Sequence, residues 1–342
     1  MSRSRWVVTL TLAAIPLTAV WLAGQSAPSP KPRVAQTVPR TPDGRPDLQG
    51  YWTNDSYTPL ERPAEFAGKS HFTPQEAAAF VRTRLDRLEN QPASDIHYDD
   101  AIWQKENYDK EANLRTSLIT DPANGLLPPL TEEATRRQAA EAARRAGRGP
   151  ADSVQDRSLG ERCITWGNVG PPMLPPTYYA NFQIIQTADY VIIRHELMHE
   201  ARLIPLGDQP HASAGARYLY GDARGRWEGD TLVVDTTNFT DKTPFRGPPS
   251  NTRQDIRSSD RLHVVERFTY VDAGTIRYQF TVEDPGMWVA PWSGEAPIRR
   301  FEGPIYEYGC HEGNYGLANI LSAARVEERP AAPAATPGGT SK

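Results

Sequence analysis

No cluster of basic residues stands anywhere in this chain: 38 Lys and Arg face 42 Asp and Glu, a formal net charge of −4. A mildly acidic chain without a basic stripe lacks the electrostatic footprint of a nucleic-acid binder, so nucleic acid is not an expected partner. The familiar catalytic templates are missing as well. There is no Gly-x-Ser-x-Gly nucleophile elbow, no phosphate-cradling P-loop and no dinucleotide glycine fingerprint. Those absences close the nearest routes to a serine hydrolase, a nucleotide enzyme or a dinucleotide cofactor, and no cofactor is expected. No internal repeat is visible. Cysteine is scarce, with two in 342 residues.

What is present begins with an export signal over residues 1–26. Arg3 and Arg5 form a basic start, residues 6–23 are uncharged and largely apolar, and Gly24-Gln25-Ser26 supplies small residues for a cleavage site. The alternative is an uncleaved membrane anchor, because the apolar stretch nears spanning length. No Cys follows it, so a lipid anchor is not expected. Both readings send the chain to the periplasm or outside the cell, with no other membrane association. Cys163 and Cys310 then meet an oxidising compartment. They either close a long loop as a disulfide or remain two separate buried thiols.

Residues 27–46, rich in Pro, Ser and Arg, read as a linker, 47–328 as one domain and 329–342 as a disordered tail. The segment TPDGRPDLQGYW at 41–52 is turn chemistry leading to an aromatic pair, where the chain docks onto the fold. Thr73-Pro74-Gln75-Glu76 is a capping box with Pro in the first turn, and it predicts a helix over 73–90. TEEATRRQAAEAARRAG predicts a second over 131–146, acidic at its start and basic at its end. It has almost no large apolar residue, which places it on the surface.

From residue 178 the character is β: YYANFQIIQ, DYVIIRHEL, ARYLYGD, TLVVDT, LHVVERFTYV and TIRYQFTVED are short β-branched and aromatic runs parted by Gly, Asp and Pro. Residues 227–231 read as a tight hairpin with Glu228, Gly229 and Asp230 at the turn. The clearest hairpin joins 262–271 to 275–284 through Asp272-Ala273-Gly274, with Gly274 in the left-handed position. In that register Leu262, Val264, Glu266, Phe268 and Tyr270 share a face with Ile276, Tyr278, Phe280, Val282 and Asp284. The opposite face pairs His263 with Glu283. A slip of one residue would mix the two faces. The pattern predicts a mainly β fold, an antiparallel barrel or strongly curved sheet of the lipocalin type, with peripheral helices.

Candidate chemistry centres on five places. His195-Glu196-Leu197-Met198-His199 would set two imidazoles one turn apart on a helix, as in a zinc hydrolase. On a strand the same imidazoles lie ~13 Å apart, too far to share a metal. Three consecutive β-branched residues and a β-rich neighbourhood favour strand, so His195 and His199 are zinc ligands only in the alternative reading, and His199 is kept as a pocket group. His263 beside Glu283 is a His–carboxylate pair suited to proton transfer, or a surface cross-strand pair. Glu266 on an apolar face is either a carboxylic acid of raised pKa or the buried partner of an Arg such as Arg194 or Arg202. His311 and Glu312, beside Cys310 and two glycines, form a shaped turn that is either a site or a stapled structural loop. Trp227, Tyr278 and Tyr315 are the aromatic candidates for contacting a sugar or aromatic ligand.

The strings TPDGRPDLQGYW, GRWEGDTLVVDTTNF, HVVERFTYVDAGTIRYQFTVEDP and YEYGCHEGNYGLANIL resemble a family of secreted proteins abundant in soil bacteria of the acidobacterial type. The resemblance spans about residues 41–326. It implies export and a β-rich fold, and no particular reaction. The family's key strand reads Glu-Met-Ile-His-Asp-Ala-Arg. It matches residues 196–202 with Leu197, Met198 and Glu200 in place of Met, Ile and Asp, and His195 falls outside it. The functional expectation is a small-molecule pocket serving a metal-free acid–base enzyme, a hydrolase or lyase acting on carbohydrate or aromatic compounds. His199, His263, Glu266, His311 and Glu312 are its candidate catalytic groups. A non-catalytic carrier and a zinc hydrolase are the alternatives.

Overall fold

The computed structural model describes residues 38–90, 114–166, 169–175, 180–242 and 258–329. Residues 1–26, read from sequence as an export signal, and 330–342 of the expected C-terminal tail lie outside the described residues. Among the described residues there are ten strands: β1 (Gly50–Thr53), β2 (Ile119–Asp121), β3 (Asn181–Gln186), β4 (Tyr190–His195), β5 (Ala201–Pro205), β6 (Asp222–Glu228), β7 (Thr231–Thr237), β8 (His263–Asp272), β9 (Thr275–Glu283) and β10 (Trp292–Arg300). Their lateral order is β5-β4-β3-β1-β10-β9-β8-β7-β6, with β2 added beside β10. Read around the ring, this is a meander from β3 to β10, closed by β1 between its ends. The result is a nearly closed antiparallel barrel of nine strands.

Nine is an odd number, and a ring of odd strand count cannot be antiparallel at every joint. The exception falls between β5 and β6, where Leu206 bridges Gly225 in parallel and Gly207 N–H donates to the Gly225 carbonyl at 3.1 Å. The backbones close up there because Gly225 has no side chain: a Cβ would lie 2.8 Å from Ile204 Cγ2 and from Leu206 Cδ2. A parallel joint needs a crossover rather than a tight turn, and residues 206–221 supply it.

The β8–β9 register runs from His263 opposite Glu283 to Tyr270 opposite Ile276, as the alternation requires. The inward residues named above are all buried. The tip differs from expectation. Asp272, not Val271, pairs with Thr275, leaving Val271 bulged and 56% exposed. Gly274 is not left-handed; its N–H is held by Asp272 Oδ1 at 3.0 Å. The 227–231 hairpin forms with Gly229 at φ 57° and Glu228 opposite Thr231. The run ARYLYGD is not a strand: β6 begins only at Asp222, and of the residues before it only Tyr218 makes an isolated bridge, to Phe239.

Helix α1 (Pro74–Glu89) starts with the expected capping box, Glu76 N–H on Thr73 Oγ1 at 3.2 Å and Thr73 N–H on Glu76 Oε2 at 2.7 Å. Helix α2 (Glu132–Arg145) buries only Ala134. Helix α3 (Tyr315–Glu327), which the sequence reading did not predict, is capped by Asn314 and buries nothing. Cys163 and Cys310 are bonded, 147 residues apart, which fits a non-cytoplasmic protein. No helix of the described residues is long and apolar enough to cross a membrane. Residues 38–46, assigned to the linker from sequence, lie against the barrel: Pro46 is buried and its carbonyl accepts from Gln186 Nε2 at 3.1 Å.

Candidate functional site

The barrel interior is filled. Trp52, Phe182, Phe268, Tyr278, Phe280 and Trp292 are all at most 2% exposed, and neighbouring rings stand 5.0 Å apart for Phe268 and Tyr278 and 5.7 Å for Phe280 and Trp292. Among them lies Glu266, with no exposed surface. Both its oxygens are taken by the Arg202 guanidinium, and Oε1 also accepts from the Tyr278 hydroxyl at 2.8 Å. That hydroxyl accepts in turn from Met173 N–H at 2.7 Å. Burial and the Glu266 charge push the Tyr278 phenol well above its usual pKa, keeping it a donor. Glu266 and Tyr278 are thus a sealed core network with Arg202, not a reachable acid and a ligand contact.

The His195–His199 string is neither a helix nor a continuous strand. β4 stops at His195, and residues 197–199 form a 3-10 turn in which Met198 and His199 have φ of 65° and 53°. His195 N–H donates to the Glu200 carbonyl across this turn at 2.8 Å. The His195 ring points into the barrel, 1% exposed, and neither ring nitrogen has a hydrogen-bond partner among the described residues. Burial, with the Arg202 charge as a lesser cause, holds its pKa down at about 3. Glu196 accepts from Asn181 Nδ2 and from Tyr306 N–H, both at 2.9 Å. His199 Nε2 accepts from Tyr308 N–H at 2.5 Å. The two imidazoles occupy different environments, and the helical geometry a shared zinc requires is not formed. No group of three or more His, Cys, Asp or Glu able to hold a metal occurs among the described residues.

The remaining candidates scatter. His311 and Glu312 are exposed in the turn after Cys310, and Tyr315, 75% exposed, opens α3. Trp227 packs against the barrel core. Among the described residues the three aromatic candidates thus stand in different settings: Tyr278 sealed in the core, Trp227 packed on it and Tyr315 exposed on α3.

One candidate does meet partners. On the outer barrel face His263 Nε2 lies 3.1 Å from Asp235 Oδ2. The other Asp235 oxygen faces His211 Nε2 at 3.0 Å, and His211 Nδ1 faces Asp222 Oδ2 at 3.1 Å. Arg224 closes the row on Asp222 at 2.6 Å. At the other end His263 Nδ1 stands 3.8 Å from Glu283. The result is a line of alternating basic and acidic side chains across β6, β7, β8 and β9. The hydrogen bond to Asp235 raises the His263 pKa, opposed by partial burial and helped by the Asp235 and Glu283 charges. The same bond lowers Asp235. Burial pulls Asp222 up, but Ala212 N–H, Arg224 and His211 together hold it below its usual value.

Strand periodicity alone turns Asp235 and His263 outward, a signal the sequence reading used for His263 and passed over for Asp235. His211 carries no such signal; it arrives on the crossover, which Asn238 Nδ2 pins by donating to the carbonyls of Ala212 and Ser213 at 3.2 and 3.0 Å. No protein-family model matches the chain, and no curated protein does.

Proposed function

We propose that the chain is an exported acid–base enzyme of the secreted family it resembles, a hydrolase or lyase acting on a small molecule in the periplasm or outside the cell. His263 moves the proton and Asp235 positions it. The observation that carries this reading is the His263–Asp235 pair at 3.1 Å, with the His263 side chain 35% exposed. In the tautomer whose Nε2–H donates a hydrogen bond to Asp235, the Nδ1 lone pair is left to take a proton from water or from substrate. The adjacent carboxylate orients the ring and raises its basicity. The filled barrel interior favours this outer face over a ligand held inside as in a carrier.

A base of this kind works only when neutral, so activity rises with pH through the raised His263 pKa. His263→Ala lowers turnover by about 10²- to 10⁴-fold. Asp235→Asn lowers the plateau and also moves the acid limb of the pH profile to lower pH, a displacement that a purely structural role for Asp235 does not produce. A panel of glycosides and aromatic esters supplies the substrates. If the purified chain turns over none of them, or the acid limb stays in place in Asp235→Asn, the reading fails.

A further inference from the structure

An open cleft of about 500 Å³ lies between the start of α2 and the segments that follow β7 and precede β8. Its wall carries Arg137, Arg217 and Lys242 and, against them, Glu133, Asp241 and Asp260. The six charges do not cancel in pairs. Glu133 is engaged by Arg261 at 2.5 Å, and Asp260 is loosely paired with Arg217 at 3.9 Å. Arg137 meets only the Ser258 carbonyl at 3.4 Å and Met287 Sδ at 3.8 Å. Among the described residues neither Arg137 nor Lys242 has a carboxylate partner, and Asp241 has no cation. Two cations and one carboxylate are left facing the open space.

The floor is fixed. Asp284, 2% exposed, accepts from Ser259 N–H at 2.7 Å, from Ser259 Oγ at 2.5 Å and from Gly286 N–H at 3.0 Å. Thr131, the cap of α2, anchors on the same turn through its N–H to the Met287 carbonyl at 2.9 Å. The cleft is also near the His263 pair along the chain. Asp260 precedes His263 by three residues, at most ~10 Å of extended backbone. The crossover that brings His211 to Asp235 also brings Arg217 to the cleft. It is sewn to the end of β7 by Tyr218 N–H on the Asn238 carbonyl at 2.9 Å and Thr240 N–H on the Tyr218 carbonyl at 3.0 Å.

We infer that this cleft binds a hydroxylated carboxylic acid of sugar-acid size and that such acids are the substrate class presented to His263. Arg137 and Lys242 take the carboxylate, and Asp241 accepts from the hydroxyls. A neutral sugar leaves both cations unanswered, and a bare inorganic anion leaves Asp241 unanswered and repelled. The inference rests on the proton-transfer reading for its second half only.

Calorimetric titration of the full chain with glucuronate, with glucose as the uncharged control and sulfate as the anion without hydroxyls, tests it. Glucuronate should bind more tightly than either control. Arg137→Ala and Lys242→Ala should each weaken it by about tenfold or more. Glucose or sulfate binding as tightly as glucuronate overturns the substrate class, and glucuronate binding that ignores both substitutions overturns the site. The two readings fail separately. Glucuronate binding that depends on Arg137 and Lys242, without turnover of any uronic-acid substrate, leaves the cleft standing and sinks the presentation to His263. Turnover of neutral substrates that His263→Ala abolishes, without glucuronate binding, leaves the enzyme and sinks the cleft.

Discussion

His195 is a neutral imidazole locked inside a barrel, and its cost depends on pH. The folded state holds its pKa at about 3, against 6.5 for the unperturbed ring. The unfolded chain takes up the proton first, so the stability from this position is complete above about pH 6.5 and is lost as pH falls toward 3. The loss is bounded at roughly 5 kcal/mol. His195→Leu removes the titration, and the gap between variant and parent urea midpoints should change steadily in the variant's favour from pH 7 to pH 4. A constant gap over that range would show that the ring does not titrate in this window. Glu266 poses the complementary case. Glu266→Gln leaves Arg202 charged, buried and half-partnered, and should cost about 3–5 kcal/mol in urea unfolding. The double change Arg202→Met with Glu266→Leu should cost less than that single one. The sequence showed that Glu266 was anomalous on its face and named Arg202 among its possible partners. It did not decide between acid and ion pair, because that depends on where β5 lies across the barrel.

Strand by strand, legibility followed side-chain size. β8 and β9 were readable because every inward position but Glu266 and Asp284 is a large apolar residue. β10 was not, although it alternates just as strictly, because its inward residues include Gly294 and Ala296. Gly294 is required there: a Cβ would meet Phe280 Cζ at 2.5 Å and the Leu118 carbonyl at 2.9 Å. The run at 216–221 misled for the opposite reason, since its Tyr and Leu residues carry β propensity but make only an isolated bridge, Tyr218 beside Phe239, and no strand. Helix α3 escaped because its apolar residues bury no stripe. The β5–β6 joint was invisible locally, as it follows from strand count. Gly225→Val tests it: the side chain is forced into Ile204 and Leu206, and should cost about 1–3 kcal/mol. Amide exchange at Gly207 should accelerate more than exchange in the β8–β9 hairpin. Equal acceleration in both would mean that the joint is not a local feature.

For the whole molecule, the disulfide divides the work of holding the chain. Neither Cys163 nor Cys310 belongs to the barrel's hydrophobic core; their bond ties the segment after β10 to the chain that precedes β3. Beyond the bond, that segment is held by a few surface contacts, such as Asn314 Nδ2 to the Glu161 carbonyl at 2.9 Å and Arg325 to the carbonyls of Asp152 and Ala151 at 2.9 and 3.1 Å. Cys163→Ser with Cys310→Ser should lower stability by about 2–4 kcal/mol. It should also open the chain to protease near α3 before the barrel is cut. Cleavage in the β strands first would show that the bond supports the barrel itself. The site follows the same division: His263 and Asp235 were partly legible because the barrel alone sets them, while His211 and the cleft needed the crossover.

A closed ring with one joint unlike the rest gives way at that joint, and what remains is a single curled ribbon with its other pairings intact. Asp235 and His263 sit on β7 and β8, next door to each other within that ribbon. His211 and Arg217 ride on the chain that straddles the joint. If β5 parts from β6, the His263–Asp235 pair stays assembled and keeps His211 and Arg217 beside it, because Asn238 and Tyr218 tie the crossover to the end of β7, so that one joint can open and close without dismantling the outer face.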